Sequence, residues 1–334
     1  MPKSHLRLCV PAKLLREFER IQPGAASVRV GCLSLTLCIA CSLTGCNLWS
    51  ERKLREEGAT PFTRCNAAAA PRERTGGAAG VSIGVKERVV QLSKSAPALR
   101  LGVFAAPGLG GPPSASALES LRATRADVLL MLGGLGESRE VASATVKSLA
   151  SLGRLVLVVL GGRDAYRVAH EALDAAPEDT WVVDATALRS IRIGSDVLIP
   201  WGGSEQGRYA LDERHCGFGE QDVREAVEAL GRAPAGERRW LASWQALPEP
   251  AERPAIRDGH ELGAELVRLS ESLGIQGSLG AWPAGMAAES QPGPLSELRV
   301  PRAWGPPDER SDGTSLPSGA SVLIFETDGP RIER

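Results

Sequence analysis

Residues 127–164 read DVLLMLGGLGESREVASATVKSLASLGRLVLVVLGGRD. Two fully apolar runs, DVLLML at 127–132 and RLVLVVL at 154–160, have the length of strands, and each ends in a pair of glycines. Between them SREVASATVKSLASLG (138–153) opens with Ser at a capping position and closes on Gly, the signature of one helix. A strand, a helix and a strand in succession make a crossover, so the two strands run parallel. Strands that are apolar on both faces are buried on both faces, which asks for helices on the outside of the sheet.

The same alternation continues outward. LRLGVF (99–104) precedes the unit, and DVLIPW (196–201), RRWLASW (238–244) and LGIQGSL (273–279) follow it. The stretches SASALESLRA, DAYRVAHEALDAA, EQDVREAVEALG and GHELGAELVRLSESLG have helical spacing. WVVDATALRSIRIGSDVLIPWGG alternates between short turns, which predicts antiparallel strands in mid-domain. Residues 285–318 are rich in Pro and Gly and predict loop, while SVLIFETDG (321–329) predicts a closing strand. The class is α/β over 97–334, with no internal repeat. Residues 46–96 are polar, Ala-rich and broken by Pro and Gly, and predict a flexible tether. Within them Gly80-Val81-Ser82-Ile83-Gly84 spells G-x-S-x-G, but without the strand-turn-helix setting a nucleophilic Ser needs, so it reads as chance.

The N-terminal 45 residues are of another kind. VGCLSLTLCIACSLTG (30–45) is uncharged, follows Arg29, and is too short for a spanning helix. It ends in Leu43-Thr44-Gly45-Cys46, which resembles the bacterial lipobox. The resemblance implies a signal peptide over 1–45, acylation of the Cys46 thiol and cleavage before it. Acyl chains contribute about 0.8 kcal/mol per buried methylene, so several together anchor durably. Asn47, in place of the Asp that signals inner-membrane retention, favours the outer membrane of a bacterial cell envelope. The leader is long for such a signal, and translation starting near Val28 or Val30 would give it ordinary length. Of seven Cys, four lie in the leader; Cys65 and Cys216 then form an even pair suited to a disulfide in an oxidising compartment.

Charge excludes one class of partner. The chain carries a net of -1; without residues 1–45 it holds 33 basic and 38 acidic side chains, a net of -5. Nothing in that balance offers a footprint for nucleic acid.

The loops at the strand ends carry a second resemblance. Phe104-Ala105-Ala106-Pro107-Gly108, Leu132-Gly133-Gly134-Leu135-Gly136, Gly161-Gly162-Arg163-Asp164, Leu241-Ala242-Ser243-Trp244 and Gly277-Ser278-Leu279-Gly280 come in the order and spacing of five metal-binding motifs. They resemble those of the calcineurin-like metallophosphoesterases. The resemblance implies a sandwich of two mixed sheets flanked by helices. It implies also what is missing. Gly134 stands at the bridging Asp, Gly162 at the Asn, and Trp244 and Ser278 at imidazoles; only Asp164 keeps its family identity. Neither Gly nor an indole nitrogen ligates a metal. The expectation is a pseudoenzyme with no cofactor.

Three alternatives stay open. A hydrolase using divalent metal ions would need ligands relocated to His260, Asp258, His215 or Asp164, although Asp258-Gly259-His260 also reads as a helix start and DERHCGFG around His215 as a surface loop. A small anionic ligand would use backbone N–H groups of the glycine-rich turn before Ser138, with Arg163 beside it. An envelope protein would use the scaffold as an interaction surface. His170 reads as a helical residue, solvated or partly packed.

Overall fold

The structure, a computed structural model, describes residues 73–332 except 79, 96–97, 107–110, 206–214, 216, 248–255, 258–259, 262, 283–295, 300–319 and 327–328. The strands are β1 (Arg74–Ala78), β2 (Val81–Lys86), β3 (Val89–Lys94), β4 (Leu99–Ala105), β5 (Val128–Leu132), β6 (Leu155–Val159), β7 (Val182–Asp184), β8 (Ser190–Ile193) and β9 (Asp196–Trp201). They continue with β10 (Ser204–Glu205), β11 (Gly217–Phe218), β12 (Arg238–Gln245), β13 (Ile256–Arg257), β14 (His260–Glu261), β15 (Ile275–Trp282), β16 (Ser296–Arg299), β17 (Ser321–Glu326) and β18 (Gly329–Ile332). The helices are α1 (Ala115–Ala123), α2 (Arg139–Ala150), α3 (Tyr166–Asp174), α4 (Glu220–Leu230) and α5 (Ala264–Leu273).

Two large mixed sheets result. Sheet A has the order β1-β2-β3-β8-β9-β12-β15-β16, and sheet B the order β18-β17-β4-β5-β6-β7. In sheet B the strands β4 to β7 are parallel, and the closing strand β17 lies antiparallel on β4. In sheet A the antiparallel pair β8–β9 is flanked by parallel pairs β3–β8 and β9–β12.

The core explains the layering. Alternate residues of both sheets, among them Leu92, Leu101, Leu130, Leu157, Leu198 and Trp244, form one cluster between them. The other faces of β4, β5 and β6 bury Phe104, Leu129, Met131 and Val158 under α1, α2 and α3. The other face of sheet A buries Ile199, Trp201 and Leu241 under α4 and α5. This is the α/β class expected, in four layers. Ser114 and Ser138 cap α1 and α2, accepting from Ala117 N at 3.2 Å and Val141 N at 3.3 Å. Among the described residues no helix is long and apolar enough to cross a membrane.

Two expectations need correction. The tether expected over 46–96 holds β1, β2 and β3, which form one end of sheet A. Alternation in VSIGVK buries Val81, Ile83 and Val85, a period-2 signal hidden among the surrounding Gly and Ala. No helix follows β2, so Ser82 is an exposed strand residue and not an elbow nucleophile. The loop expected over 285–318 contains β16, parallel to β15. His170 lies on α3 as expected, and of its two expected states it takes the packed one, buried and paired through Nδ1 with Asp184 Oδ2. Cys46, Cys65, Cys216 and Asp258 lie outside the described residues.

Candidate functional site

In sheets of parallel strands, sites form at the C-terminal strand ends, and four of the five expected loops meet there. The turn after β5 folds back between β4 and β6. Gly133 (φ +71°) and Gly134 (φ +81°) adopt the left-handed backbone that a side chain resists. Gly133 N donates to the Val159 carbonyl at 2.7 Å, which stitches the turn to β6. The Gly161–Gly203 bridge ties the turn after β6 to the end of β9 in the other sheet.

The indole of Trp244 fills the space these turns enclose. A Cβ on Gly133 would come within 2.1 Å of it, on Gly161 within 2.7 Å and on Gly162 within 3.0 Å. The same glycines are closed from other sides. A Cβ on Gly162 would lie 2.2 Å from Ser204 Oγ, and one on Gly134 would lie 2.4 Å from the Ala106 backbone. The glycines at the expected ligand positions are therefore a packing requirement of this crevice. Trp244 is only 5% exposed. Steric closure and the chemistry of the residues agree: this set does not fit a pair of metal ions.

Asp164 is fully buried, and its hydrogen bonds are internal. It accepts from Gly134 N at 3.0 Å, Gly136 N at 3.1 Å and Gly161 N at 2.7 Å. Burial pushes its carboxyl up to about 6, while the N–H groups of Gly161, Gly136, Gly134 and Leu135 pull it back down. At neutral pH it is ionised. The glycine turn does present N–H groups to an anion, as its sequence suggests, but the anion is this side chain. That corrects the reading of Gly134 and Asp164 as residues facing a ligand. Arg163 is half-buried on the same turn.

A second carboxylate behaves the same way. Glu205 accepts from Gly263 N at 2.9 Å and Glu265 N at 2.8 Å, at the start of α5, and its own N–H donates to Gln245 Oε1 at 2.9 Å. A helix N-terminus is the other natural anion site of such a fold, and here too the chain supplies the anion. Sequence reasoning missed Glu205, because some sixty residues separate it from the helix it caps.

The fifth loop joins the crevice by other residues than expected. Ser278 pairs in register with Leu241 and shares its face, away from Trp244. Leu279 and Ala281 lie in the inter-sheet core with Trp244. Alternation therefore corrects Ser278 as the counterpart of a ligand beside Trp244. His215 is buried and bridges to Ala165. His260 lies on β14, with α5 starting only at Ala264. Among the described residues no group of three or more His, Cys, Asp or Glu is arranged to hold a metal ion.

No family model matches the chain, and no curated protein matches it. Solved structures do. The protein TT1561 of Thermus thermophilus aligns at 11% identity over 71% of this chain and 98% of its own, with a TM-score of 0.44. A dimetal phosphatase from Danio rerio aligns at 12% identity over 70% of this chain and 94% of its own, with a TM-score of 0.41. GAP50, the anchor in the inner membrane complex of Plasmodium, aligns at 10% identity over 71% of this chain and 84% of its own, with a TM-score of 0.44.

Proposed function

We propose that the chain is an exported lipoprotein, acylated at Cys46 and held at a bacterial envelope membrane, the outer one on the strength of Asn47. Its folded part is a metallophosphoesterase-like sandwich without the two-metal centre, and it acts as a binding or interaction scaffold. One observation carries this reading. Trp244 occupies the slot between Gly133, Gly161 and Gly162, where a cation pair and a substrate phosphate would have to sit. Asp164 and Glu205 reinforce it, because they engage the backbone donors that an incoming anion would use.

The test is metal content and turnover of the purified full chain after incubation with Mn, Fe and Zn. The expected result is no stoichiometric metal and no cleavage of an aryl phosphate. Stoichiometric metal together with cleavage would restore the hydrolase reading, with ligands drawn from outside this crevice. Acylation is tested apart from this, by the mass of the Cys46 peptide and by loss of cleavage before residue 46 in a Cys46→Ala variant. The small-anion reading has its own test, a ligand-induced rise in melting temperature that Arg163→Ala abolishes. The engaged donors predict no such rise for inorganic phosphate.

A further inference from the structure

The parallel strands of sheet B all begin along one edge of the molecule, opposite the closed crevice. Arg100 lies at the start of β4, Arg125 just before β5, and Arg154 just before β6. The C-terminus of α1 ends among them. Arg154 donates to the Leu121 carbonyl at 3.4 Å and the Arg122 carbonyl at 3.0 Å. Arg100 donates to the Thr124 and Arg125 carbonyls, each at 3.2 Å. Arg122 crosses to Ser151 at the end of α2, where Lys147 lies in the last turn. The guanidinium groups of Arg100, Arg122 and Arg154 thus bond at two helix C-termini, and Arg125 is exposed beside them.

Among the described residues no ion pair joins a carboxylate to Arg122, Arg125 or Arg154. Asp127 accepts from Lys94 and from the Arg100 backbone, both at 2.8 Å. Glu326 pairs with Arg331 at 3.0 Å. Glu119 is exposed on α1. Glu73, Asp174 and Glu178 lie beyond, toward the β7 end of the edge, so the edge is bipolar. Arg122 and Arg125 are exposed. A guanidinium has five N–H donors, so the exposed Arg122 keeps donors for an outside partner beside its bond to Ser151.

The described chain also begins on this edge. Arg74 Nη1 donates to the Thr180 carbonyl at 3.1 Å, and its guanidinium stacks 4.4 Å from the Trp181 ring centroid, just before β7. Residues 47–72 connect that point to Cys46. Such a covalent connection holds the domain at high local concentration beside whatever Cys46 is anchored in.

We propose that this arginine edge docks on a bilayer carrying anionic phospholipid headgroups, with the β4–β6 end toward the surface and the β7 end tilted away. The proposal rests on the reading of Cys46 as the anchor, which supplies proximity; the edge supplies orientation. Arginine suits phosphate through paired N–H donors. Each basic residue near such a surface changes partitioning by roughly fivefold, and salt screens the effect.

The test uses the full-length chain bearing Cys46→Ala, so that no acyl group contributes. Flotation is compared on vesicles of phosphatidylcholine alone and of phosphatidylcholine mixed with phosphatidylglycerol. The expected result is a preference for the mixed vesicles that high salt removes and that Arg122→Glu/Arg125→Glu reduces on the order of tenfold or more. Arg224→Glu/Arg268→Glu on α4 and α5 should keep it. The leader is common to all variants, so its contribution cancels. If the Glu variant fails to fold, Arg122→Gln/Arg125→Gln serves. Unchanged flotation of the edge variant, equal loss in the α4/α5 variant, or binding to heparin as tight as to the mixed vesicles would each overturn the proposal. Acylation is read separately from the mass of Cys46, so the failure of either reading is distinguishable.

Discussion

The two ends of sheet B handle charge in opposite ways. At the C-terminal strand ends Asp164 turns inward. Asp164 is fully buried with three backbone donors, Glu205 holds the start of α5, and an indole fills the space between the turns. At the N-terminal strand ends Arg100, Arg122 and Arg154 donate to backbone carbonyls, and Arg122 and Arg125 keep exposed surface. The C-terminal strand ends belong to the core, while the N-terminal strand ends carry exposed arginines.

This contrast predicts a gradient of mutational cost. Trp244→Ala should have the largest effect, about 3–5 kcal/mol in denaturant unfolding, because neighbouring glycines have no side chains with which to refill the space. Asp164→Ala should come next, on the order of 3 kcal/mol, since it strands several buried N–H groups at once. If either variant proves near neutral, the crevice is not the packed core described above. Glu205→Gln should cost about 1–2 kcal/mol by weakening the cap of α5. Arg122→Glu/Arg125→Glu, at the open end, should cost no more than about 1 kcal/mol, and Arg139→Ala, which breaks an exposed pair with Glu171, less than about 0.5 kcal/mol.

Asp164 also gives the closed end a pH signature. Its carboxyl lies near 6 in the folded protein against an ordinary value of 3.8. The folded state therefore binds the proton more tightly than the unfolded one. Its contribution to stability is full below about pH 4 and is lost as pH rises through about 6, a change of about 3 kcal/mol. Unfolding free energies of the parent and Asp164→Asn, measured between pH 4 and 7, should converge or cross by that amount as pH rises. Parallel curves would mean that Asp164 titrates as an exposed carboxyl does.

The strand–helix–strand unit at 127–164 was legible because its apolar runs and helical spacing are local signals, and the helices and parallel strands around it followed from the same rules. β1 to β3 were obscured because Gly and Ala in the surrounding sequence resemble a linker, and the burial of Val81, Ile83 and Val85 depends on a partner sheet. At the strand ends the identities of Gly134, Gly162 and Trp244 already argued against metal ligation. Their reason was not visible, since it lies in contacts between β5, β6 and β12 across long separations.

The sequence alone determined which segments become most of the strands and helices, the net charge that disfavours nucleic acid, and the lack of a side-chain donor atom at Gly134 and Gly162, because all of these are properties of residues and their near neighbours. Tertiary structure alone decided that an indole closes the crevice, that Asp164 takes up the donors of the glycine turns and Glu205 those at the start of α5, and that four arginines share one edge. Those facts depend on how two sheets pack, and packing brings together residues that chain order keeps apart.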